Sequence, residues 1–206
     1  SDIVVTAAGG LVGEVVQIWK PKELNTFETE WGFSCMSYEI SGALGIKMAK
    51  PDQDVIVFVG DGSYLLQNSD IYSSVLYDKK LIIVICDNGG HMVINRLQLA
   101  KGGNEYLCNL NAARATNLHF VDFEAHAKSM GANGETVKSI SELEAAFKRA
   151  KLSTKTYVIS MKTDGYEWLE GTAFWESPTL EVHKSEGNKA ALEEFLEGKS
   201  KQRKGV

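Results

Sequence analysis

Asp61, set between Gly60 and Gly62, and Asn88, followed by Gly89 and Gly90, are the residues whose types and spacing point most directly to chemistry. A carboxylate, an amide oxygen and a backbone carbonyl freed by glycines form an all-oxygen donor set, the hard kind that suits magnesium. Magnesium takes few protein ligands and leaves positions for phosphate oxygens. Glycines at 60 and 62 permit close backbone approach, and the amides of Gly62 and Ser63 at the start of a following helix can donate to an anion. The ligand these residues imply is a magnesium diphosphate.

That chemistry requires the two groups to meet, and the flanking segments bring them together. Val55-Ile56-Val57-Phe58-Val59 leads into Gly60, and Leu81-Ile82-Ile83-Val84-Ile85-Cys86 leads into Asp87. Both are apolar runs of strand length, and Ile71, Tyr72, Val75 and Leu76 between them fall at helical spacing. The result is a βαβ unit, whose right-handed crossover places both carboxyl ends on one edge of the sheet. Ligands of open α/β sheets bind at that edge, so Asp61 and Asn88 are expected side by side.

Ile3-Val4-Val5, the Gly9-Gly10 turn and the helical pattern from Leu11 to Trp19 make another strand, turn and helix, whereas Pro21 to Trp31 has no period and reads as a loop. Ile40, Leu44 and Met48 repeat every four residues until Lys50-Pro51 stops the helix. Asp122 is placed to cap a helix carrying Phe123, Ala127 and Met130 that ends at Gly131. Ser141 to Glu144 has the spacing of a capping box before the stripe Leu143, Ala146, Phe147 and Ala150, and Tyr157-Val158-Ile159 supplies a further interior strand. The fold class is α/β: a doubly wound, mostly parallel sheet with helices on both faces, formed by residues 1–180. Residues 181–206 read as a polar, partly helical tail with a Leu192, Phe195, Leu196 stripe, preceded by Trp168, Phe174 and Trp175 scattered among charges.

His91 is the one histidine beside the motif, and its imidazole is suited to donate to a diphosphate or exchange protons with substrate. Asn95 and Arg96 are candidates for a polyhydroxylated substrate; a solvated loop is the plainer account of all three. His119 and His126 lie on apolar-patterned segments and read as structural. The short helix after Gly90, followed by Gly102-Gly103, has the pattern of a mobile cover.

With 206 residues, 44% hydrophobic and 24% charged, the chain can bury one sizeable core. A net charge of −5 without a basic stripe argues against nucleic acid. Three cysteines, Cys35, Cys86 and Cys108, without a Cys-x-x-Cys pair suit a reducing cytoplasm. The absence of a leader pattern and of 18 consecutive apolar residues gives the expectation of neither secretion nor membrane insertion.

Gly60-Asp61-Gly62 with Asn88 27 positions after the aspartate resembles the diphosphate-binding signature of thiamine diphosphate enzymes. The resemblance implies a thiamine diphosphate-binding fold, with thiamine diphosphate and Mg2+ as cofactors. Asp61, Asn88 and the Gly90 carbonyl would hold the metal, with Gly60, Gly62, Ser63 and Asn88 around the diphosphate. It further implies that Met36, in Ser34-Cys35-Met36-Ser37-Tyr38, props the cofactor into its bent shape, with the Ser34 and Met36 backbones meeting the aminopyrimidine. Gly10 and Leu11 either border the diphosphate or serve only the turn. Asp87 stands where many relatives carry a second asparagine and competes as a ligand, although the spacing favours Asn88.

Longer strings, Trp31 to Met36, Tyr38-Glu39-Ile40, Gly42 to Pro51 and Gly60 to Leu65, resemble the trihydroxycyclohexanedione hydrolase branch of inositol breakdown. The resemblance runs from about Val4 to near Trp175. It implies hydrolytic opening of a cyclic 1,2-diketone, the cofactor acting as electron sink and water releasing a deoxyglucuronic acid. Acetolactate synthase-like enzymes, 2-oxo acid decarboxylases and a non-catalytic cofactor-binding module are the alternatives. The family's catalysis also needs a glutamate from a pyrimidine-binding domain, usually of a neighbouring subunit. The expectation is therefore a carboxy-terminal domain that is inactive alone and belongs to a homo-oligomer.

Overall fold

The apolar runs are strands buried on both faces, and their alternate residues belong to different cores. The computed structural model describes residues 1–169 and 179–203. Among the described residues, β1 (Ile3–Thr6), β2 (Phe27–Thr29), β3 (Val55–Gly60), β4 (Ile82–Asp87), β5 (Asn133–Val137) and β6 (Tyr157–Lys162) form one sheet, in the order β2-β1-β3-β4-β6-β5. Every pairing is parallel. Ile3, Val5, Val57, Ile83 and Ile85 face one core; Val4, Ile56, Ile82 and Ile159 face the other. This two-sided burial explains why β1, β3, β4 and β6 are nearly continuous apolar runs.

The first core is covered by α2 (Tyr38–Ala49), α3 (Asp61–Leu66), α4 (Ser69–Leu76) and α6 (Phe123–Ser129), through Ile40, Ala43, Tyr64, Ile71 and Phe123. The second is covered by α1 (Gly10–Ile18) and α7 (Ile140–Leu152), through Val15, Ala146 and Ala150. Helices on both faces of an all-parallel sheet make a doubly wound α/β fold, as the pattern implies. From β1 the chain moves to β2 on one side, then returns to β3 on the other. The reversal opens a crevice at the carboxyl ends of β1 and β3, and β4 lies beside it. No helix among the described residues is long and apolar enough to cross a membrane.

Four local readings need correction. The loop expected over residues 21–31 contains β2, a three-residue edge strand. The crossover after Asp61 is two helices broken at Gln67 and Asn68, with Ile71 buried but Tyr72 and Leu76 exposed. Met48 is 54% exposed; the inner face of α2 is completed by Ala43 and by Lys47, whose ammonium donates to the carbonyls of Pro51 and Gln53. The capping box lies two residues earlier than expected. Ser139 is extended and its Oγ accepts from the Glu142 amide, while Ser141 already lies inside the helix. Asp122 caps α6 as expected, accepting from the Ala125 amide, and Gly131 ends it with a φ of 84°.

The tail contains α8 (Glu186–Ser200), with none of its residues buried, and its start docks on the end of α5 (Met92–Ala100), where Asn188 Nδ2 donates to the Lys101 carbonyl. Phe174 and Trp175 lie outside the described residues.

The shifted cap is directly testable. Ser139→Ala should lower stability by about 1 kcal/mol in urea unfolding, whereas Ser141→Ala should stay within about 0.5 kcal/mol of the parent. Equal losses would place the cap elsewhere.

Candidate functional site

Gly60 pairs in register with Cys86, so the residues that follow the two strands emerge together at the carboxyl edge. Asp61 opens α3 without an intervening loop and is 3% exposed. Its Oδ1 accepts weakly from the Asn88 amide at 3.4 Å. The Asn88 side-chain amide reaches Asp61 Oδ1 at 3.1 Å and the Gly90 carbonyl oxygen at 2.9 Å, and with its nitrogen in that place it donates to both. Neighbouring ligands of an octahedral magnesium ion, at 2.0–2.1 Å from the metal, are separated by about 2.9–3.0 Å. The two separations at Asn88 match that spacing when the amide turns its oxygen toward Asp61 and Gly90. Half a turn of the amide puts its oxygen in the nitrogen's place, so the same geometry accommodates either two hydrogen bonds or a shared cation.

Burial pushes the Asp61 pKa up, the nearby Asp87 adds to the rise, and the Gly90 and Asn88 amides oppose it. Asp87, the competing candidate, is already engaged: one oxygen lies 2.6 Å from Lys162 Nζ and the other accepts from the Gly89 amide. Among the described residues no group of three or more His, Cys, Asp or Glu side chains is arranged to hold a metal. A cation here depends on the amide and carbonyl oxygens.

The Gly90 carbonyl is aimed by its surroundings. Gly90 has a φ of 137°, and a Cβ there would lie 2.4 Å from the Cys108 carbonyl oxygen. The close approach belongs to a short antiparallel bridge between Gly90 and Asn109. The His91 amide donates to the Cys108 carbonyl and the Leu110 amide to the Gly89 carbonyl. Asn109 is buried, and its Nδ2 donates to Glu105 and to the Tyr166 hydroxyl, which itself donates to Glu105.

Met36 is half-buried on the segment that precedes α2. Ser34 and Ser37 beside it adopt φ values of 51° and 78°, left-handed conformations that cost a non-glycine residue about 1 kcal/mol or more each. The Ser37 amide donates to Ser63 Oγ, and Ser63 Oγ donates to Glu39. Glu39 is fully buried and also accepts from the Ala8 amide at 3.3 Å. One carboxylate therefore joins the turn after β1, the start of α2 and the start of α3.

The matches to known proteins follow this geometry. Residues 7–161 match the family model described as thiamine pyrophosphate enzyme, C-terminal TPP binding domain. The chain belongs to the thiamine pyrophosphate enzyme family. It is 36% identical over 198 residues to 3D-(3,5/4)-trihydroxycyclohexane-1,2-dione hydrolase of Halalkalibacterium halodurans, covering 93% of this chain and 30% of that protein. To the protein of the same name from Shouchella clausii it is 38% identical over 178 residues, covering 82% of this chain and 28% of that protein. The chain thus spans about 30% of the length of the curated relatives it matches. Among solved structures, the thiamine diphosphate-dependent 4-hydroxybenzoylformate decarboxylase of Rhodococcus jostii RHA1 superposes with a TM-score of 0.67 at 20% identity, over 83% of this chain and 30% of that one. That likeness concerns the fold.

Within this thiamine pyrophosphate domain, the expected residues fall into two groups. Asp61, Asn88 and Gly90 converge, with Gly60 and Gly62 beside them. His91 joins them: a Cβ on Gly62 would lie 2.5 Å from its Cε1 and Nδ1, so the imidazole rests over the start of α3. Gly10 faces Val93 of α5 across the crevice. Leu11 instead packs on the second core, which directs its side chain away from the site. Ser63 contributes its buried hydroxyl to Glu39 as well as its amide to the first turn of α3. Ser34 is exposed and Asn95 buried, with Nδ2 donating to Glu105, while Arg96 stacks over Trp168 at 4.1 Å. His126 accepts or donates at the Tyr64 hydroxyl, a structural role. Glu39, Glu105, Asn109 and Tyr166 were not legible from type or spacing; only the Glu39 position beside the Met36 segment was a signal.

Burial raises the Glu39 pKa, opposed by hydrogen bonds that include those from Ser63 and Ala8. The folded chain then holds the proton to higher pH than the unfolded one, and stability falls as pH climbs from the unfolded value through the folded one. The urea midpoint of the parent, measured against Glu39→Gln, should decline as pH rises above the ordinary carboxylate range. A flat difference would mean that the carboxyl is not desolvated.

Proposed function

We propose that the chain is the carboxy-terminal, diphosphate-binding domain of an enzyme that uses thiamine diphosphate and magnesium to open a cyclic 1,2-diketone, trihydroxycyclohexanedione, by hydrolysis. One observation carries the site: the Asn88 side-chain amide lies within 3.1 Å of Asp61 Oδ1 and 2.9 Å of the Gly90 carbonyl oxygen, the separation of adjacent ligands of one cation, on the ligand-binding edge of the sheet. The choice of reaction rests on relatives named as that hydrolase over 82–93% of this chain. The decarboxylase structures, at 19–20% identity, bear on the fold and add nothing for a decarboxylation reading.

In this reading Asp61 supplies the formal negative charge toward the cation, and Asn88 and the Gly90 carbonyl complete the protein's share of its shell. The Gly62 and Ser63 amides and the His91 imidazole face the diphosphate, and Met36 sets the bend of the cofactor from below. When bound, the cofactor supplies an electron sink for cleavage of the carbon–carbon bond. The chain's own contribution is to hold it, orient it and screen it with α5. His91 is the residue placed to exchange a proton with substrate at its imidazole nitrogen.

A pyrimidine-binding domain is the partner this reading requires, within a homo-oligomer in the cytoplasm. Its support is the apolar surface beside the site: Leu65, Leu66, Tyr72, Leu76 and Tyr77 are all exposed on α3, α4 and the turn that follows. Such a grouping on the two helices that follow the cofactor turn is the surface expected to be covered by another domain. Residues 181–206 are assigned to a tail appended to the domain of residues 1–180.

Calorimetric titration with thiamine diphosphate should show binding only with magnesium. Asp61→Ala should weaken it by more than the roughly 10–100-fold that outer-shell partners of a metal contribute. Unchanged affinity in that variant, or binding without metal, would overturn the site. The chain alone should not hydrolyse the diketone. Mixed with a pyrimidine-binding domain of a hydrolase relative, it should restore ring opening, and turnover of a 2-oxo acid instead would replace the hydrolase reading.

A further inference from the structure

We infer that Glu30 and Glu39 are a pair of positioning residues that hold the Met36 segment in its left-handed shape, Glu30 by binding the amides on either side of Ser34 and Glu39 by anchoring the hydroxyl that receives the Ser37 amide. The inference deepens the proposed function, on which its cofactor clause rests, because Met36 matters only as part of a cofactor cradle.

Glu30 follows β2 directly, and its two oxygens do different work. Oε1 accepts from the Phe33 amide at 2.9 Å and Oε2 from the Cys35 amide at 2.7 Å. These amides flank Ser34, whose φ of 51° turns the chain where a glycine would do so without steric cost. The bonds favour the ionised carboxylate, and the Cys35 and Phe33 amides lower the Glu30 pKa. The carboxylate is exposed, and its bonds stay within the loop.

At the other end, Ser37 has a φ of 78° and its amide donates to Ser63 Oγ at 2.7 Å. Ser63 Oγ in turn donates to Glu39 at 2.8 Å. Ser63 lies two residues after Asp61, so this short chain of bonds ties the Met36 segment to the turn that carries the converging oxygens. Glu39 also receives the Ala8 amide, which fixes the acceptor against the turn after β1. Two strained serines are thereby bracketed by two carboxylates, one fastening the loop to its own strand and one fastening it to the opposite wall of the site.

The two glutamates are unlike in environment and alike in effect. Removing Glu30 frees the amides at 33 and 35; removing Glu39 leaves Ser63 without its acceptor and loosens the hold on the amide of 37. In both cases the adjoining serine is released from a conformation that its Cβ disfavours, and Met36 loses a fixed position relative to Asp61. Glycine at the same serine takes the left-handed conformation freely and should reduce the dependence on the glutamate.

The test uses the complete chain and two readouts. Amide hydrogen exchange without ligand should quicken at least about tenfold at Phe33 and Cys35 in Glu30→Ala and at Ser37 in Glu39→Leu, which keeps the bulk and removes the acceptor, with the β4 amides unchanged. Calorimetry with thiamine diphosphate and magnesium should show affinity falling on the order of tenfold in each variant. Ser34→Gly in the Glu30→Ala background, and Ser37→Gly in the Glu39→Leu background, should recover most of it, which a general loss of stability would not allow. Unchanged exchange at the three amides, or affinity lost without rescue by glycine, overturns the inference. If the parent chain binds no thiamine diphosphate, the proposed function and the cofactor clause both fall, and exchange alone decides whether the glutamates hold the loop.

Discussion

A carboxylate oxygen and a carbonyl oxygen that meet at one side-chain amide, at 3.1 and 2.9 Å, need positive charge between them, supplied by the amide N–H groups or by a cation. The rest of the molecule follows from bringing three such groups so close. Asp61 must emerge from β3 and Asn88 from β4, so those strands must be parallel neighbours in the register that pairs Gly60 with Cys86. The Gly90 carbonyl must turn inward, which requires the positive φ at Gly90 and the backbone clamp from Cys108 to Leu110. Asp61 must be kept from water and from its neighbour's charge, and Lys162 compensates Asp87 directly alongside. Each requirement is met by a different part of the chain, yet all concern the same few ångströms.

The interior of the fold was legible in the sequence, and its margins were not. β1, β3, β4 and β6 are covered on both faces, so Ile3, Ile56, Ile83 and Ile159 and their neighbours had to be apolar whichever way they pointed. β2 and β5 are the edges of the sheet. Phe27-Glu28-Thr29 and Asn133 to Val137 carry no such run, because a strand with one neighbour and partial exposure makes few demands on its side chains. The shifted cap on α7 has a comparable cause. Ser139 and Ser141 both precede an acidic residue at the right distance, and only the extended backbone of Ser139 distinguishes the cap from the helix.

The site divides in the same way. Asp61 and Asn88 were legible because the residue types, the glycines and the strands before them jointly limited what they could do. Glu39 and Asn109 are common polar residues whose meaning arises from burial and from partners 24 to 57 positions away. Ser34 and Ser37 are the more instructive case. Glycine at either position would have announced a left-handed turn, whereas serine conceals it and shifts the cost to the surroundings. Leu11 shows the converse: being next to a turn says nothing about where a side chain points once the helix it begins has packed on the sheet.

Strain and buried polarity share one edge of this sheet. Gly9, Ser34, Ser37, Gly89 and Gly90 have positive φ there, and Glu39, Asp61, Ser63, Asp87 and Asn109 are buried within the same region. Unfavourable backbone conformations and desolvated carboxyls each cost of the order of kcal/mol, which is comparable to a sizeable part of the net stability of a small domain. They persist only if the surroundings over-determine them. Here the surroundings are two separate apolar cores that grip β3 and β4 from both sides, and hydrogen bonds that brace the loop around Ser34 and link Ser37 through Ser63 to Glu39. A rigid sheet therefore does more than bring Asp61 and Asn88 together. It allows the loops beyond its carboxyl edge to hold conformations that they would not adopt by themselves, and a ligand that meets those loops already shaped has less ordering cost to overcome on binding.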